Sequence, residues 1–161
     1  MTRRQMITLI ALALVAGCSN DSPRALVRGE DSCAYCRMTI DDLRFGALVL
    51  SDRGKLQTFD SIECAANWVA AQLPDHAPRA IWVANFTDPS QWVDANNAVF
   101  LHGSQIRSPM GRDLVAFAAN SDGEALQRAH GGSVINWAAV RELVATPQES
   151  PDAGAANAHS H

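Results

Sequence analysis

The stretch Phe45-Gly-Ala-Leu-Val-Leu-Ser-Asp-Arg-Gly-Lys-Leu-Gln-Thr-Phe-Asp-Ser-Ile-Glu-Cys-Ala-Ala-Asn-Trp-Val-Ala-Ala-Gln-Leu73 carries the fold in miniature. Its first six residues, Phe45 to Leu50, form a short apolar run of strand length. Asp52-Arg53-Gly54 is a turn, and Lys55 to Phe59 returns as a second strand. Asp60-Ser61-Ile62-Glu63 then reads as a capping box, a cap residue with glutamate three positions on, each side chain serving a backbone N–H of the other. The helix runs through Cys64 to Leu73 and stops before Pro74. Ala80 to Phe86 supplies a third strand.

The same order recurs further along. Ala98 to Leu101 is a strand, Ser108-Pro109-Met110-Gly111 a turn region, and Leu114 to Ala118 a second strand. Ser121-Asp122-Gly123-Glu124 is another capping box, opening a helix that Gly131-Gly132 closes. Val134 to Trp137 is the last strand, and Ala138 to Ala145 a short closing helix. The fold class expected is therefore α+β, with two similar ββαβ units, about residues 40–86 and 97–137, packed as one domain over 31–145.

The ends of the chain read differently. Arg3-Arg4 followed by the apolar run Met6 to Ala16 is a signal-peptide pattern, too short to cross a ~30 Å hydrocarbon core with margin. Leu14-Val15-Ala16-Gly17-Cys18 resembles a bacterial lipobox, so residues 1–17 are expected to be cleaved and Cys18 lipidated. Residues 18–30 are polar and read as a tether to the membrane. Ser19, in place of aspartate, points to the outer rather than the inner membrane. Thr146 to His161, with Pro147 and Pro151 and no apolar periodicity, reads as a disordered tail.

The full chain of 161 residues carries a net charge of -4, and removing residues 1–17 takes two arginines and no acids, leaving -6. Such a surface does not suit nucleic acid, whose binders need a basic face. No Gly-rich phosphate loop, nucleophile elbow or HExxH is present.

Chemistry concentrates in Cys33-Ala34-Tyr35-Cys36-Arg37-Met38. Two thiols and a thioether at this spacing form a soft donor set suited to Cu(I). Structural zinc takes thiolate or imidazole and not methionine. A Cys33–Cys36 disulfide and a thioredoxin-like redox pair are the other readings, although the latter places CxxC at a helix start after a strand. Cys64 falls in the first helical turn, where the dipole favours a thiolate, but its alanine neighbours suggest a packing role. Met110 on its turn reads, taken alone, as a gap-filler at the edge of the core. His76, His102 and His130 read as structural or solvated, and the His159/His161 pair is not a site by itself.

Taken together and in this order, the lipobox, Cys-Ala-Tyr-Cys-Arg-Met, Thr39 to Val49, Thr58 to Val69, and Ser108 to Ala118 with His130 to Trp137 resemble the NosL family, the accessory lipoproteins of nitrous oxide reductase assembly. The resemblance spans about Asp31 to Val144. It implies a non-enzymatic copper chaperone that binds one Cu(I) and passes it to the reductase, possessing two ββαβ-type units related in architecture to organomercurial lyase. The metal ligands it implies are Cys36 and Met110, completed by Met38 or Cys33. Arg37 stands where the family commonly has glycine. Partners implied are nitrous oxide reductase and the ABC-type accessory transporter of the same pathway. The protein would sit on the periplasmic face of a membrane. The alternatives are an organomercurial-lyase-like enzyme using Cys36, Cys64 and Asp60, or a disulfide-bonded docking lipoprotein.

Overall fold

The computed structural model describes residues 21–146, so the signal segment, Cys18 and the tail from residue 147 lie outside the described residues. Strand β1 (Ala47–Leu50) follows a 3-10 turn at Leu43–Phe45 and lies at the centre of its sheet. It pairs antiparallel with β2 (Leu56–Phe59) on one side and β3 (Ala80–Asn85) on the other. Helix α1 (Ile62–Gln72) connects β2 to β3. Strand β4 (Asp88–Asp94) joins the far edge of β3, giving the order β2-β1-β3-β4.

The second unit uses the same plan. Strand β5 (Val99–His102) is central between β6 (Val115–Phe117) and β7 (Ser133–Ile135), with α2 (Gly123–His130) between β6 and β7. Helix α3 (Trp137–Ala145) closes the described chain and packs on α1. The architecture is the expected α+β arrangement of two ββαβ units, with β4 added.

All four residues of β1 are buried, so both faces of the strand are covered. Ala47 and Val49 face α1 in the main core, while Leu48 packs under Leu26 and Ile40 from the N-terminal segment. The main core runs from Phe59 and Val83 of the first sheet through Ile62, Ala65 and Val69 of α1 to Phe100 and Ala116 of the second sheet, with Leu114 just before β6. Trp137 and Val140 of α3 seal it. The two units thus share one apolar interior.

The capping boxes do not form as read. Ser61, not Asp60, caps α1, its hydroxyl accepting the Cys64 N–H at 3.1 Å. Asp122, not Ser121, caps α2 by accepting from Ala125 N at 3.0 Å. In both motifs two capping side chains stand in succession, and the chain enters the helix from the second. The last strand also ends early, at Ile135, because the Asn136 side chain accepts from Ala139 N and opens α3 at Trp137. Strand β4 was not anticipated. It is an edge strand with no buried residue, which permits Pro89, and it leaves little apolar signal.

Gly132 holds φ +79°, and a Cβ there would lie 2.5 Å from the His102 carbonyl oxygen and 2.8 Å from Ser104 N. Both obstacles are backbone. Gly132→Ala is therefore expected to lower the unfolding free energy by about 2–4 kcal/mol, visible as a lower denaturant midpoint.

Candidate metal centre

The CxxC segment is a tight loop rather than a helix start. Ser32 and Thr39 form an isolated antiparallel bridge, Cys33 N donates to Met38 O at 2.8 Å, and Arg37 N donates to Cys33 O at 3.1 Å. Arg37 closes the turn with φ +69°. The loop is pinned to β2 by Ala34 N donating to Thr58 O and by Thr58 Oγ1 donating to Ser32 O, both at 2.8 Å. Two residues past Thr58 the chain reaches Asp60 and the start of α1. This brings two distant segments face to face.

The ligand atoms of Cys33, Cys36, Asp60 and Cys64 consequently lie within 4.8 Å of one another. Cys33 is 1% exposed and Cys64 fully buried, while Cys36 is half-buried and forms the accessible side. Cys36 Sγ donates to Asp60 Oδ2 at 3.5 Å. Asp60 Oδ1 is buried without a hydrogen-bond partner. A buried acceptor left without a donor costs on the order of 1–3 kcal/mol, and a cation at the centre of the cluster would satisfy it.

The thiols are electrically unequal. A hydrogen bond from Cys64 holds the Cys33 thiol down at about 6, against the opposing effect of burial. The same contact, with burial, pushes Cys64 up, so Cys64 keeps its proton. Burial also raises Cys36. All three described cysteines are free thiols.

Of the sequence-selected residues, Cys33 and Cys36 therefore meet in one cluster. Met38 stands beside it on the loop, 61% exposed. Met110 is half-buried and packs on the same core as Cys33 and Cys64. Its loop is held by Ser108 O accepting from Gly111 N at 3.1 Å. Cys18 and the two tail histidines lie outside the described residues. His76 pairs with Asp52 at 2.8 Å and His130 stacks on Phe117, both away from the thiols. The family model for NosL matches residues 24–145.

The chain belongs to the NosL family.

Among curated proteins it is similar to the copper-binding lipoprotein NosL of Stutzerimonas stutzeri, with 25% identity over 140 residues, covering 81% of this chain and 73% of that protein. Among solved structures it is similar to the copper chaperone NosL from Shewanella denitrificans, with a TM-score of 0.59 at 21% identity, covering 71% of this chain and 92% of that one. That likeness concerns the fold. Among the described residues no helix is long and apolar enough to cross a membrane.

Two members of the cluster were not among the sequence-selected ligands. Cys64 packs as expected, yet its sulfur also turns towards Cys33. The sequence pattern makes Asp60 the helix cap, and the shift of that role to Ser61 frees its carboxylate for the cluster. The signal available in the sequence was the pair of capping side chains, Asp60 and Ser61, one of which had to be spare.

Two expectations follow. In the metal-free reduced protein one thiol should ionise with a midpoint near 6, read by thiolate ultraviolet absorbance, and Cys64→Ala should move that midpoint upward. Because the folded Cys33 thiol sits below its unfolded value, stability gained from it is fully present above the unfolded value and is lost as pH falls towards 6. Arg37→Gly should raise the unfolding free energy by about 0.5–1 kcal/mol, the left-handed strain removed exceeding the added chain entropy. A thermal melt checks this.

Proposed function

We propose that the protein is a lipid-anchored copper(I) chaperone of the periplasm that supplies copper for the assembly of nitrous oxide reductase. The observation that carries the reading is the convergence of three sulfur atoms and one carboxylate within 4.8 Å, with a single half-exposed thiol as its open side. Soft thiolates select Cu(I), and that ion tolerates two or three ligands. The name of the Stutzerimonas stutzeri relative, a copper-binding lipoprotein, supports the same cargo and an anchor at Cys18. The outer membrane fits Ser19 after the lipidated position.

Loading begins on the open side. Cys36, with Met38 exposed two residues away, meets the incoming ion, and Met110 completes the set from the neighbouring loop. An acceptor ligand adds to the low-coordinate ion before the last donor lets go, so firm holding and rapid release coexist. Nitrous oxide reductase is the acceptor, and the ABC-type transporter of the same pathway is a second docking partner. A Cys33–Cys36 disulfide and copper loading exclude each other, since both use the same sulfurs.

A second reading draws on the Cys36–Asp60 hydrogen bond. Thiols beside a carboxylic acid are what cleavage of a carbon–mercury bond requires, the acid protonating the departing carbon. Steady turnover of an organomercurial would establish it; stoichiometric copper binding without turnover sets it aside.

The reduced, lipid-free protein should bind one Cu(I) in competition with a Cu(I) chelator, and Cys36→Ser should abolish that stoichiometric binding. Retention of near-native affinity would overturn the role given to Cys36. Zinc offered in parallel reads the influence of the Asp60 carboxylate, a harder donor than copper(I) needs.

A further inference from the structure

Glu63 is an unusual residue to find in a core. It lies one position before Cys64 on α1 and is 1% exposed. One carboxylate oxygen, Oε1, accepts a hydrogen bond from Ser108 Oγ, and the other, Oε2, is buried without a partner. A carboxyl in this setting weakens the fold relative to an apolar side chain of similar volume. What it touches explains its presence.

Ser108 is the foot of the loop that bears Met110. Its hydroxyl donates to Glu63 and accepts from Asp113 N at 3.0 Å, while Ser108 N donates to Asp113 Oδ1 at 3.4 Å. Asp113 also takes the ion pair from Arg107. Residues 107–113 therefore form a loop closed at its base, with Met110 at its tip against the core that contains Cys33 and Cys64. Arg112 Nη1 fastens the loop from the other side, donating to Leu143 O of α3 at 2.7 Å. The loop meets α1 through Glu63, the immediate neighbour of a thiol in the cluster.

We propose that the Glu63–Ser108 hydrogen bond is a latch that sets the Met110 thioether against the thiol cluster, making Glu63 and Ser108 positioning residues of the metal site. The inference rests on the copper reading of that site. One buried bond couples the helix that carries Cys64 to the loop that carries Met110, so the placing of the thioether relative to the thiol cluster is fixed locally. Without it the loop keeps its Asp113 base but loses its register on α1.

The test compares Ser108→Ala, Glu63→Ala, Glu63→Gln and Met110→Leu with the wild-type protein. Copper-edge X-ray absorption counts sulfur ligands, and chelator competition gives the Cu(I) affinity. Ser108→Ala and Glu63→Ala, which break the latch from either side, should each lose one sulfur ligand and about tenfold or more in affinity. Met110→Leu should do the same, and adding Ser108→Ala to it should cost nothing further. Glu63→Gln keeps an acceptor for the Ser108 hydroxyl and should retain the sulfur count and the affinity. A lower melting temperature in Ser108→Ala and Glu63→Ala with unchanged sulfur count and affinity would overturn the latch. So would a Met110→Leu protein that binds copper as the wild type does. Wild-type protein that takes up no Cu(I) would overturn the copper reading itself, and the latch with it.

Discussion

The hydrogen bond from Cys64 N to Ser61 Oγ decides where α1 begins, and the direction of every donor near it follows. Starting the helix at Ile62 turns Cys64 towards the CxxC loop and Glu63 towards the second sheet. It also leaves Asp60 outside the helix, with its carboxylate free to meet Cys36. A start one residue earlier would rotate each helical side chain by about 100° about the axis and carry Cys64 away from Cys33. A cap of this kind contributes on the order of 1 kcal/mol to stability. Its consequence for the site is much larger than its energy.

The cluster sits where the two units share their interior, and that location constrains its chemistry. Cys33 and Cys64 are packing residues of the main core as well as sulfur donors, so the surrounding apolar contacts hold them in place before any ion arrives. The cost is a set of polar atoms kept from water. Asp60 Oδ1 and Glu63 Oε2 are the two buried side-chain oxygens without partners among the described residues. Both belong to the entry of α1. Here the fold trades local stability for geometry, as functional sites do.

Much of this architecture was legible in the chain. The strand order of both units follows from short apolar runs and their turns, and β1 proves buried on both faces as its unbroken run suggests. Strand β4 left no such trace, because an exposed edge strand with a proline needs no apolar pattern. The pairing of Cys33 and Cys36 was legible from spacing alone. Cys64 was harder: its approach to Cys33 depends on Ala34 and Thr58 joining the CxxC loop to β2, a contact between residues far apart in sequence. Asp60 was hidden by a genuine ambiguity, since Asp and Ser cap helices about equally well. Local propensity could not choose between them.

The thiols of the cluster differ in their hold on the proton. Cys33 is held near 6 by the thiol of Cys64, against the opposing effect of burial. Cys36 is raised by burial. Asp60 Oδ2 accepts the Cys36 S–H at 3.5 Å. The cluster thus has a buried side, Cys33 and Cys64, and an open side, Cys36 beside its carboxylate.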